Sequence, residues 1–169
     1  VGKDKNAVAN LKKLFENRQV YKSYVALVHG KISENLRIEA NMDLANDYDD
    51  VKMRMRICED GKSAVTEISP IEYFTDIDAT LLRAVPLTGR QHQIRLHLFH
   101  VEHKILGEPL YGLSRPQIEK ILDKEMSEIE RILTTGAPRL LLHSDEICFK
   151  FDGIEYRIKS KFDAQDEFY

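Results

Sequence analysis

The sequence predicts an α+β fold, a mixed, mainly antiparallel β-sheet with flanking helices, on three observations. Residues 51–57, Val-Lys-Met-Arg-Met-Arg-Ile, alternate strictly between apolar and basic, the period of a half-buried strand. Asp152-Gly153 separates two further strand-like runs, a strong hairpin signal. Apolar residues at helical spacing recur near the N-terminus and again between residues 114 and 135.

Taken in order, Ala7, Val8, Leu11, Leu14 and Phe15 trace one face of a helix over residues 6–17. Residues 24–28, Tyr-Val-Ala-Leu-Val, form a short apolar run rich in strand formers, closed by His29 and Gly30. An acidic stretch with Asp43, Asp47, Asp49 and Asp50 leads into the alternating strand. Glu59-Asp-Gly-Lys62 reads as a turn into another strand, which Pro70 ends or confines to a sheet edge. Residues 79–85 make a further strand running into Pro86 and a Thr88-Gly89 turn. Residues 91–100 read as a helix opened by Thr88 or Gly89, with its positive dipole end toward Arg90. One longer helix is expected next: Ser114 caps it, Pro116 suits its first turn, and Ile118, Ile121, Leu122, Met126, Ile129, Ile132 and Leu133 form its stripe. Gly136 and Pro138 stop it. The chain closes with the apolar residues 140–142 and the hairpin strands around Asp152-Gly153.

Length and composition narrow the function classes. A chain of 169 residues, 43% apolar and 31% charged, is one domain with an ordinary core. No run approaches the roughly 18 apolar residues of a membrane span, and the polar Val1-Gly-Lys-Asp-Lys start is unlike a secretory signal, so a cytoplasmic protein with no membrane partner is expected. Cys58 and Cys148 are far apart and read as reduced thiols. Net charge is only -3, yet no acid occurs between Asp78 and Glu102. That interval instead holds Arg83, Arg90, Arg95, His92, His97 and His100, a cationic segment suited to an anionic partner.

The run Thr88-Gly-Arg-Gln-His-Gln-Ile-Arg-Leu-His97, with Ile105-Leu-Gly107 and Tyr111-Gly112, closely resembles the signature of RNA pseudouridine synthases of the RluA family. Lys22-Ser-Tyr-Val-Ala26 with Gly30, Gly61-Lys-Ser-Ala64, Ala79-Thr-Leu-Leu82 and Arg139-Leu-Leu-Leu-His143 reinforce it in the family's order. The resemblance implies the pseudouridine synthase fold. It also implies isomerisation of uridine in ribosomal or transfer RNA, with no cofactor and no metal, by a protein expected to be a monomer. Tyr24 matches the active-site tyrosine that stacks on the uracil, and Arg95 matches the arginine that pairs with the catalytic aspartate. Ile105 and Leu106 match the apolar wall of the uridine pocket, while Arg90 and His92 are the candidates for RNA phosphate.

Proteins of that kind carry the aspartate in a His-Arg-Leu/Ile-Asp stretch followed by Thr-Ser-Gly, which residues 1–169 lack. The chain is therefore expected to be a partial catalytic domain, inactive alone, with its nucleophile upstream of Val1 and Arg95 left as an unpaired charge. Two other readings compete. A non-catalytic RNA- or uridine-binding module needs the same pocket, and a zinc-dependent hydrolase would use His97, His100 and His103, spaced to share a helical face. The zinc reading is weaker, because no His-Glu-x-x-His motif or cysteine pair accompanies those histidines.

Overall fold

The computed structural model describes residues 4–45, 54–164 and 168. Among these residues the elements run α1 (Lys5–Glu16), β1 (Val20–His29), β2 (Leu36–Glu39), β3 (Met42–Leu44), β4 (Met55–Ile57), β5 (Val65–Phe74), β6 (Ala79–Pro86), α2 (Gln93–His100), α3 (Arg115–Leu122), α4 (Glu128–Thr135), β7 (Leu142–Phe151) and β8 (Ile154–Lys159). Six strands make one sheet in the order β2-β5-β6-β1-β7-β8, and β3 pairs with β4 separately. Every described pairing between strands is antiparallel.

The central position of β1 explains its composition. It pairs with β6 on one side and β7 on the other, and its residues 25–28 are buried, so a continuous apolar run replaces alternation. The strand is longer than its apolar run, because Val20 to Ser23 continue the ladder with Phe149 to Glu146. Register shifts between Ser23 and Tyr24, where Asp145 is the extra residue on β7. Such a bulge re-aims the side chains beside it. Pro70 does not end β5. It lies beyond the last β2 partner, Ile68, and the register shifts between Pro70 and Glu72, so the proline occupies a half of the strand with one open side.

Helix α2 lies between two buried clusters. Ile94 and Leu98 join the sheet residues Ala26, Leu82 and Ala84, whereas Leu96 packs with Met42, Met55, Leu110, Tyr111 and Ile118. The helix starts later than Thr88 or Gly89 suggested: His92 is its cap, in the left-handed conformation at φ 52, and makes no side-chain capping bond. The single long helix of residues 114–135 is two helices. Lys124 at φ 59 breaks the path, and Ser127 restarts it with a capping box in which Glu130 bonds the Ser127 N–H. Only the first half of the stripe is core, since Ile118 and Ile121 are buried while Ile129 and Leu133 are 73% and 82% exposed.

The hairpin turn holds Asp152 and Gly153 both at positive φ, 49 and 80, as a tight type I′ connection requires. The alternating strand is present as β4, with Met55 buried and Arg56 exposed; its residues 51–53 and the acidic residues 46–50 lie outside the described residues. Cys58 and Cys148 are free thiols. No helix among the described residues is long and apolar enough to cross a membrane.

Candidate active site

The loop between β6 and α2 is built by one buried side chain. Gln93, 3% exposed, donates from Nε2 to the Val65 carbonyl (2.9 Å) and to Thr66 Oγ1 (3.0 Å). Its Oε1 accepts from Thr88 Oγ1 (2.6 Å) and from the Arg90 N–H (3.0 Å). Thr88 Oγ1 in turn accepts from the Val65 N–H at 3.0 Å. Thr88 and Gln93 therefore staple residues 88–93 to β5, leaving Gln91 exposed and Arg90 and His92 partly exposed between them. Residue type alone gave no sign of this division; two polar residues five apart, both destined for burial, were the available signal.

The staple places Arg90, His92 and Arg95 along a cavity of about 410 Å³ that Tyr24, Lys22, Phe15, Ile94 and Leu142 also line. Four of the six sequence-predicted site residues thus meet. Ile105 and Leu106 do not join them. Ile105 is fully buried in a bridge with Val28, and Leu106, 7% exposed, bonds Leu27 and Leu141 through its backbone, so both belong to the core under β1. A larger cavity, about 900 Å³, lies between α2 and β4 and holds none of the six.

Charge in the Tyr24 cavity is one-sided. Lys22, Arg90, His92 and Arg95 line it, and among the described residues no aspartate or glutamate does. Burial pushes the Lys22 ammonium down, and burial reinforced by Arg95 pushes His92 down, favouring a neutral imidazole. Lys22 is half-buried in the wall. Arg90 Nε donates to the Ser63 carbonyl at 3.2 Å, which anchors its stem beside the opening. Asp145, next to Tyr24 in the β1–β7 ladder, is held instead by Ser23 Oγ (3.2 Å) and lies 3.8 Å from Arg83.

Arg95 is not an unpaired charge. Its Nε donates to Glu108 Oε2 at 2.8 Å and its Nη2 to Oε1, in a pair whose side chains are 13% and 1% exposed. Glu108 Oε1 also accepts from the Leu110 N–H (2.8 Å) and the Tyr111 N–H (3.3 Å). No local pattern in the sequence marks this fully enclosed carboxylate as the partner of Arg95. A guanidinium has five donors. Nη1 has no partner among the described residues, so the end edge of Arg95 remains open to a second anion.

Two of the three histidines of the zinc reading are engaged separately. His97 is buried with Nε2 3.2 Å from the Ala40 carbonyl, and His103 Nδ1 lies 2.9 Å from the His29 carbonyl. Among the described residues no three His, Cys, Asp or Glu side chains are grouped to hold a metal ion.

A family model described as RNA pseudouridylate synthase matches residues 1–100. An uncharacterized RNA pseudouridine synthase of Helicobacter pylori is 37% identical over 160 residues, covering 94% of this chain and 51% of its own length. Ribosomal large subunit pseudouridine synthase C of Haemophilus influenzae is 32% identical over 167 residues, covering 98% of this chain and 48% of its own. The solved structure of human RNA pseudouridylate synthase domain containing 1 shares the fold, with a TM-score of 0.71 at 23% identity over 95% of this chain and 62% of that one. The chain spans about half the length of the curated relatives it matches.

Proposed function

This chain belongs to the RNA pseudouridylate synthase family, and on that premise we propose that the protein it forms part of isomerises uridine in RNA to pseudouridine at the Tyr24 cavity. The uridine belongs to ribosomal or transfer RNA, and the name of the Haemophilus influenzae relative favours the large ribosomal subunit. The observation that carries the reading is a cavity lined by Tyr24 and four basic side chains, Lys22, Arg90, His92 and Arg95.

The reaction breaks the bond from ribose C1′ to N1, turns the base, and joins C1′ to C5; the C5 proton leaves and N1 regains one. Tyr24 stacks on the uracil and its hydroxyl serves the proton transfer at C5. Arg90 and His92 take the flanking phosphates, with His92 donating as a neutral ring. Arg95 holds the attacking carboxylate ionised and aimed through its open end edge. That carboxylate comes from sequence outside these 169 residues, so the chain alone binds uridine without turning it over.

The test is tritium release from RNA carrying C5-tritiated uridine. Full-length protein is expected to release tritium and the 169-residue chain to release none. Release by the chain alone refutes the external nucleophile, and no release by the full-length protein from any ribosomal or transfer RNA refutes the synthase reading. Binding of a uridine-containing RNA without turnover by either form would favour the non-catalytic module.

A further inference from the structure

Arg95 reaches the Tyr24 cavity from α2 with one edge already occupied by Glu108. The placement of Glu108 depends on the turn before it. Gly107 sits at φ +77, and a Cβ there would lie 1.7 Å from the Arg139 carbonyl oxygen, so only glycine fits. The turn brings Glu108 to full burial, where it bonds Arg95 and the N–H groups of Leu110 and Tyr111. Tyr111 closes the arrangement from the other side. Its ring lies 5.5 Å from the Arg95 guanidinium carbon, and its hydroxyl is 3.2 Å from His92 Nδ1 while accepting from the Met55 N–H at 3.3 Å. Two side chains of the cavity wall, Arg95 and His92, are thus held from beneath by two buried residues three apart.

We infer that Glu108 is a positioning residue for the proposed isomerisation, holding Arg95 by its inner edge so that the outer edge meets the attacking carboxylate, with Tyr111 as the second support. The inference rests on the synthase reading of the site. Glu108 also does something a neutral anchor would not. Two carboxylates then share one guanidinium, and the buried negative charge offsets part of the Arg95 field felt by the incoming one. Among the described residues the other charged or titratable groups lining the cavity are Lys22 and Tyr24 of β1 and Arg90 and His92 of the loop, all basic except the Tyr24 phenol, with Tyr111 and Arg54 stacked behind Arg95. Without Glu108 the attacking group is held by an uncompensated cation, so it becomes more acidic and less nucleophilic.

The test uses full-length protein and tritium release from RNA across pH. Glu108→Gln is expected to lower kcat on the order of 10²-fold, as a misplaced positioning group does, with KM for RNA little changed. The acidic limb of its kcat/KM profile moves to lower pH, and Glu108→Asp, which keeps the charge, returns the limb to the wild-type position. A substrate-free readout accompanies it: the Arg95 Nε–H resonance exchanges slowly in wild type and fast in Glu108→Gln. An unmoved limb in an active Glu108→Gln protein, or an Arg95 Nε–H equally protected in both, overturns the positioning role alone. Absence of tritium release by wild type overturns the synthase reading and this role with it.

Discussion

Arg95→Met in the 169-residue chain isolates the buried pair from all chemistry. The substitution leaves Glu108, 1% exposed in its side chain, without its cation. Breaking a buried ion pair from one side costs about 3–5 kcal/mol, because the remaining charge is desolvated and uncompensated. Glu108 keeps its bonds from the Leu110 and Tyr111 N–H groups, which puts the loss at the lower end, about 3 kcal/mol. Glu108→Gln preserves shape and loses charge-assisted bonding, roughly 2 kcal/mol. The double variant has no isolated charge to bury, so its loss falls short of the sum by at least about 1.5 kcal/mol. Urea unfolding followed by circular dichroism measures all three against wild type, with matched slopes required before midpoints are compared. In a domain of this size about 3 kcal/mol corresponds to melting roughly 6–12 °C lower. Strict additivity, or an Arg95→Met chain within about 0.5 kcal/mol of wild type, refutes the buried pair.

Two further outcomes follow from burial. His29, His92 and His97 all have imidazoles pushed down, by burial first, with Lys104, Arg95 and His100 respectively adding to it. Unfolded imidazoles take up protons near pH ~6.5 while these stay neutral, so the unfolded state binds more protons there. Stability is then complete above pH ~6.5 and lost as pH falls below it, and His97→Gln makes the decline shallower; a profile flat down to pH ~5 contradicts this. Leu133→Glu on the exposed face of α4 leaves unfolding free energy within about 0.5 kcal/mol, whereas Ile118→Ala, at 1% exposure, costs about 2–5 kcal/mol. Equal losses at the two positions would show that α4 is part of the core.

Elements governed by local periodicity were legible in the sequence. The spacing of Val8, Leu11, Leu14 and Phe15 gave α1, and the Asp152-Gly153 pair gave the last hairpin, since each depends on residues adjacent in the chain. The break between α3 and α4 was hidden because Leu122, Met126 and Ile129 continue an apolar spacing across it. Ser127 with Glu130 three residues on was its readable signature. The start of α2 was misplaced for another reason: His92 adopts a left-handed conformation uncommon for any non-glycine residue, beside the Gln93 staple and in contact with Tyr111. Of the residues that the motifs single out, Tyr24, Arg90, His92 and Arg95 line one cavity. Glu108 was missed because its meeting with Arg95 is made by the Gly107 turn and the close approach of Arg139, a tertiary contact with no local pattern. Ile105 and Leu106 match an apolar motif, but an apolar motif has the same composition whether it faces a ligand or the core, and here both pack beneath β1.

The most direct test of the account is a crystal structure of the full-length protein bound to a short RNA containing 5-fluorouridine. The fluorinated base is expected against the Tyr24 ring, and a carboxylate from outside these 169 residues within about 3 Å of the outer edge of Arg95, with Glu108 still on the inner edge. A base bound elsewhere, or an outer edge of Arg95 that meets no carboxylate while the base is in place, would contradict it.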